Sequence, residues 1–172
     1  DLVVTGMRGV TNTLDKMIGS TTAAIMRKST VPVLVVPEQS VYAPWKQVVY
    51  ATDFSYTMNL RCLKMLKVLS GNQPDMNMKI VYVQRPGEIL SAEQIAGKVR
   101  LDPMLETIPH SYLDLEHVSV EEALKQYLHD NPTDVLVMVA HKHSWWERLF
   151  SGSHTREMVY QSEIPMLVLQ DK

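Results

Sequence analysis

Short apolar blocks along this chain alternate with stretches in which apolar residues return at helical spacing. Gln47–Ala51 (QVVYA) is a short strand that closes on Thr52-Asp53-Phe54-Ser55. From Tyr56 to Leu69 the spacing predicts a helix whose apolar side is marked by Leu60, Leu63, Leu66 and Val68, and Ser70-Gly71 ends it. Met78–Gln84 (MKIVYVQ) is a second strand. Ser91–Val99 reads as a short helix with an end anywhere up to about Ile108. Tyr112–Val118 alternates as a strand near a sheet edge, and a helix runs from Ser119/Val120 to His129. Val135–Val139 is a buried strand, Ser153–Gln161 a helix and Pro165–Leu169 the last strand. Ahead of all these, Asp1–Thr5 reads as a buried strand, Ser20/Thr21–Lys28 as a helix and Val31–Val36 as another strand. Strands alternating with helices call for a parallel sheet with right-handed crossovers.

An internal repeat organises this pattern. Setting Asp1 against Asp134 aligns residues 1–37 with 134–170 without a gap, an offset of 133 residues. Val4/Val137, Gly19/Gly152, Ser20/Ser153, Thr22/Thr155, Ser29/Ser162, Pro32/Pro165, Leu34/Leu167 and Val35/Val168 coincide. The offset is the size of a domain. The expectation is the C-terminal portion of a tandem protein, whether an excised piece or a proteolytic fragment. Residues 1–38 are then the closing βαβ unit of a first domain (its strand 4, helix 4 and strand 5), 39–46 a linker and 47–172 a complete second domain.

Three features together resemble the universal stress protein family: a strand ending in ATDFS, a strand followed by G-x-x-G, nine residues and G-S, and the strand VPVLVVP. The resemblance covers residues 1–170. It implies an α/β fold with a doubly wound, five-stranded parallel sheet of order 3-2-1-4-5, of the adenine-nucleotide alpha-hydrolase-like kind, with two units joined through their last strands. It also implies a stress-response regulator that binds ATP or another adenine nucleotide through its first domain. By the same resemblance Gly6, Met7, Arg8, Gly9, Gly19, Ser20 and Thr21 hold phosphate, the acid after strand 1 contacts adenosine, and a strand-2 residue lines the base pocket. Asp53 matches that acid and Val83, less closely, that lining residue. Physically, Gly6 and Gly9 would leave backbone N–H groups bare for phosphate oxygens, and Ser20 would cap a helix whose N-terminus favours negative charge. The plainer reading is a tight turn followed by an ordinary N-cap.

The second unit departs from this pattern. Asp53, Gly152 and Ser153 are present, but Val139 stands where the first unit has Gly6, and Lys142 where it has Gly9. Neither unit holds a whole nucleotide site, and Asp53, Val83, Lys142, Gly152 and Ser153 form a degenerate one. Lys142 could replace the lost backbone donors in a vestigial anion site. His141 and His143, with His154 or Asp53, could instead ligate zinc or another metal, although His-x-His in a loop is a weak signal and no metal is expected. A solvated loop is the bland alternative.

Composition narrows the classes. The chain has 172 residues, 45% apolar and 21% charged, which is globular composition. A formal net charge of -2 supplies no field for nucleic acid or an anionic membrane, and no apolar run is long enough to span a bilayer. No secretory signal opens the chain, and Cys62, alone of its kind, fits a reducing compartment as a helix core residue. The expected location is cytoplasmic. Trp145, Trp146, Leu149 and Phe150 form a stripe suited to a core or a subunit contact. No Walker lysine follows Gly19-Ser20, and Ser55 and Ser153 have no His/Asp relay. The expectation is therefore not an enzyme, with weak ATP hydrolysis left open. The alternative is an interaction module that binds no nucleotide, and a metal-dependent enzyme using His141 and His143 is a remote third. Expected partners are a second copy, met through the last strands in a homodimer or higher oligomer, and an unidentified protein. By the family resemblance, in which dimers pair their last strands, Val31–Val36 should pair antiparallel with Met166–Leu169, leaving Leu2–Thr5 as an open apolar edge.

Overall fold

The computed structural model describes residues 1–7, 20–55, 60–69, 75–140 and 164–170. In chain order these form β1 (Val3–Gly6), α1 (Ser20–Lys28), β2 (Val33–Val36), β3 (Gln47–Ala51), α2 (Leu60–Leu69), β4 (Asn77–Gln84), α3 (Ala92–Met104), β5 (His110–Glu116), α4 (Val120–Asp130), β6 (Val135–Ala140) and β7 (Met166–Gln170). The strands make one sheet of order β1-β2-β7-β6-β3-β4-β5. Counted from β3 onward, that order is 3-2-1-4-5, as expected, and β1 and β2 extend it to seven strands. Every described pairing is parallel except β2 with β7.

The antiparallel joint is self-symmetric. Val33 pairs with Val168, Leu34 with Leu167 and Val35 with Met166. Under the 133-residue offset Val33 corresponds to Met166 and Val35 to Val168, so each pair maps onto the other. Leu34 and Leu167 sit on a local twofold, which is isologous pairing inside one chain.

Buried residues fall into two apolar layers. On one face Tyr50, Phe54, Cys62, Leu66, Leu101, Val137, Leu167 and Leu169 cluster under α2 and α3. On the other, Met26, Val33, Val35, Leu124, Met138 and Val168 cluster under α1 and α4. Strands β6 and β7 are buried at every position, as central parallel strands with covered faces should be. The start of β3 is fixed by Asp134, whose Oδ2 accepts the N–H groups of Lys46 and Gln47, both at 2.7 Å. At the other end of the core, Gln170 donates its side-chain amide to the Met26 carbonyl at 3.0 Å, tying the last strand to α1.

Some expectations need correction. Cys62, Leu63 and Leu66 form the buried side of α2, but Val68 is 71% exposed. Two residues past Leu66 is about 200° around a helix, so it faces away. Strand β5 begins at His110 and stops at Glu116, two residues short of the expected end, because Ser119 caps α4 by accepting the Glu122 N–H at 3.2 Å. Helix α3 runs to Met104 and opens with a capping box between Ser91 and Gln94. Ser20 is the first residue of α1, so the cap position falls on residue 19, outside the described residues. The expected helix Ser153–Gln161 and the stripe Trp145, Trp146, Leu149 and Phe150 also lie outside them. No helix among the described residues is long and apolar enough to cross a membrane.

Candidate functional site

Strand β3 lies between β4 and β6, the point where the sheet order reverses and where open α/β sheets bind ligands. The chain leaving β3 is tightly tied. The Thr52 N–H donates to the Val81 carbonyl at 3.1 Å, which continues the strand pairing one residue further. The Phe54 N–H then donates to Thr52 Oγ1, and the Ser55 N–H to Asp53 Oδ1, each at 3.0 Å. These side-chain turns take the place of ladder bonds. Phe54 adopts φ 60° and is wholly buried, its ring 5.3 Å from Tyr82 and 6.2 Å from Tyr112.

Asp53 and Val83 are brought together. With Thr52, Tyr82, Val120 and Leu124 they line a cleft of about 230 Å³, including space open to solvent. The enclosed part is only about 20 Å³, room for a single water molecule and far short of a small-molecule pocket. Its walls are largely apolar, and Asp53 supplies the carboxylate. One Asp53 oxygen is used in the turn to Ser55; the other takes no part in that turn. The Tyr82 hydroxyl is pushed above its ordinary pKa, chiefly by burial and then by the Glu88 carboxylate.

The glycine turn of the first unit lies elsewhere. The Gly6 carbonyl accepts from Thr22 Oγ1 at 2.9 Å, and a side chain at Gly6 would meet nothing within 4 Å. Met7 is committed to the fold: its side chain is buried and its N–H donates to the Val36 carbonyl at 3.1 Å. Thr21 is exposed, whereas Thr22 is buried and anchors α1 to the end of β1. Sequence reasoning missed Thr22, although its coincidence with Thr155 in the repeat was the available signal. Val139, the counterpart of Gly6, is a buried strand residue. Arg8, Gly9, Gly19, Lys142, Gly152, Ser153, His141, His143 and His154 lie outside the described residues. Among the described residues no three His, Cys, Asp or Glu side chains converge to hold a metal ion.

The sheet keeps these two regions apart. Four strand steps separate β1 from β3, roughly 19 Å. Because β2 runs against β7, β1 also runs opposite to β3, and the turn at Gly6 opens at the other end of the sheet from Asp53. These two cannot grip one ligand within a single chain.

Comparison with known proteins now decides the family. The family model described as the universal stress protein family matches residues 1–37 and 44–170. The chain belongs to the universal stress protein family. A relative in Synechocystis sp., named universal stress protein Slr1230, is 29% identical over 175 residues, which cover 99% of this chain and 58% of that protein. A solved universal stress protein from Archaeoglobus fulgidus superposes with a TM-score of 0.64 at 16% identity, covering 98% of this chain and 60% of the other. The chain thus spans about three-fifths of the length of these two relatives. A further solved family member, described as in complex with cAMP, has a TM-score of 0.53 at 16% identity and covers 76% of this chain and 100% of its own. These likenesses establish the α/β architecture with its mostly parallel sheet.

Proposed function

We propose that this chain is the C-terminal portion of a tandem universal stress protein that binds an adenine nucleotide in its first domain and carries a degenerate second site at Asp53. In this reading residues 1–38 close the first domain, 39–46 link and 47–172 form the second. The observation that carries it is that each half-site lacks what the other has. Gly6 ends a strand, β1, and among the described residues no strand pairs with its outer edge to bring an acid beside it. Asp53 lines a small cleft, but Val139 occupies the place of the first glycine. The family member solved with cAMP supports an adenine nucleotide as the ligand class. Among the described residues neither half-site sets a nucleophile beside a base, which supports a regulator acting through binding.

Calorimetric titration with ATP tests this. The chain as it stands should bind with a dissociation constant weaker than about 10 µM, less than about 7 kcal/mol. Tighter binding would sink the reading. A longer chain with a whole first domain should gain affinity, and Gly9→Lys should abolish that gain.

A second reading, a self-associating interaction module, is favoured by one observation: Val4, on the open edge strand, is 61% exposed. It predicts a homodimer or higher oligomer. Light scattering that shows only monomer at tens of micromolar (roughly the range in which weak dimers form), with no binding of a hydrophobic dye, would overturn it.

A further inference from the structure

The loop carrying Asp53 is held from the side of the sheet opposite the cleft's outer wall. Phe54 is the one non-glycine residue with positive φ among the described residues, a conformation that a bulky side chain keeps only where its surroundings impose it. Those surroundings belong largely to α3. The Phe54 carbonyl oxygen lies so close to α3 that a Cβ built on Gly97 would stand 1.9 Å from it, so no side chain fits there. Lys98 places its ammonium 5.3 Å from the Phe54 ring centre. The preceding carbonyl, that of Asp53, accepts from Gln94 Nε2 at 2.9 Å. Gln94 has a second duty, since its Oε1 accepts the Ser91 N–H at 2.9 Å and completes the capping box.

The two faces give this arrangement its direction. Leu101 of α3 packs with Phe54 on one face of the sheet, whereas Leu124 of α4 packs on the other and borders the cleft. With the carbonyls of residues 53 and 54 both drawn toward α3, the rest of Asp53 is turned toward the cleft. We propose that Gln94 and Gly97 are the positioning residues of the Asp53 cleft, with α3 setting the height and direction of the acid from behind. The proposal rests on reading that cleft as a degenerate nucleotide site.

Gln94→Glu separates positioning from helix folding. Glutamate keeps the acceptor for the Ser91 N–H, as it does in many capping boxes, but offers Asp53 no N–H. In the whole chain, amide exchange at Phe54 and Ser55 should accelerate roughly three- to tenfold. The methyl resonances of Val83 and Leu124, across the cleft, should move. Exchange at Ile95, whose N–H is bonded to the Ser91 carbonyl at 3.0 Å, should hold within about twofold. Gly97→Ala should act in the same direction and more strongly, and if it fails to fold, Gln94→Glu still decides. Unchanged exchange at Phe54 and Ser55, or equal acceleration at Ile95, overturns the proposal. Adenosine added to both proteins separates the two layers of inference. A response at Val83 and Leu124 that weakens in Gln94→Glu supports the positioning role and the nucleotide reading together. No response in either protein, with exchange altered as expected, supports positioning and shows that the degenerate Asp53 site keeps no adenosine affinity, in keeping with the weak binding expected of this chain.

Discussion

Strands β1 and β2 carry the same apolar pattern as β6 and β7, and both pairs are parallel, yet the two are buried differently. On the face under α1 and α4 they agree: Val33 and Val35 are fully buried, as are their counterparts Met166 and Val168 to within 2%. On the opposite face they part. Val4 is 61% exposed where Val137 is fully buried, and Leu34 and Val36 are half-buried where Leu167 and Leu169 are sealed. The difference is α2. Its Leu63 and Leu66 join Val137, Leu167 and Leu169 in one apolar cluster, and Cys62 Sγ reaches the Gln170 carbonyl at 3.7 Å. The helix that seals the last two strands therefore comes from the opening crossover of the same unit, far away in sequence. A βαβ unit with this pattern is written for burial on both faces and supplies a cover for only one.

Matched substitutions test that comparison most sharply. Val137→Ala should cost about 2–3 kcal/mol, the loss of buried methyl groups plus the space they leave. Val4→Ala, the same chemical change at the equivalent position, should fall within about 0.5 kcal/mol. Urea unfolding measures both. Equal costs would mean that something covers Val4 in solution, and a cost for Val4→Ala that grows with protein concentration would identify that cover as a second copy.

The next effect is smaller and concerns the equivalent pair Asp1 and Asp134. Asp134→Ala strips the partner from two backbone N–H groups at the start of β3 and should cost about 1–2 kcal/mol, since the site is only partly buried. Asp1→Ala should cost within about 0.5 kcal/mol, because the strand that Asp134 serves has no counterpart beside β1 among the described residues. Similar losses at both positions would break the comparison and show that Asp1 has a partner of its own.

Much of this architecture was legible in the residues because it rests on local periodicity. The blocks QVVYA and MKIVYVQ and the glycine-serine spacing located most elements within two residues, and the family resemblance implied the antiparallel joint. What resisted reading depends on contacts distant in sequence. Asp53 could be singled out by the family resemblance of its strand-end motif, and Val83, less closely, by the same resemblance. Nothing local, however, marked Gly97 as the residue that lets the Phe54 carbonyl approach α3, or Gln94 as the donor to Asp53. Both sit in a helix of mixed polarity, where a glycine looks like a weakness and a glutamine like surface. Val68 was misjudged for a related reason: an apolar residue near a stripe was counted as part of it.

The smallest effect expected separates the two regions by acid. Among the described residues the carboxyls held below the ordinary carboxylate range, Asp102 and Asp130, belong to the unit that begins at β3. Asp102 is held low first by His110, whose Nε2 lies 3.1 Å from Oδ1, and then by the Tyr112 hydroxyl, which donates to the same oxygen at 2.9 Å. These contacts join the last turn of α3 to the edge strand β5. A carboxyl with a depressed folded-state pKa adds stability that is present above its unfolded value, ordinarily near 3.8, and is lost as pH falls through the depressed value. Asp102→Asn should therefore lower the urea midpoint at neutral pH. The gap from the parent chain should close as pH falls below the ordinary carboxylate value. Because the group is exposed, added salt should narrow the gap as well. Amide exchange in β5 should follow the same pH course, whereas β1 and β2, at the other end of the sheet, should not respond to the substitution at any pH. A gap that stays constant from neutral to acid would show that the asparagine disturbs packing and that the ionised carboxylate contributes nothing at this joint.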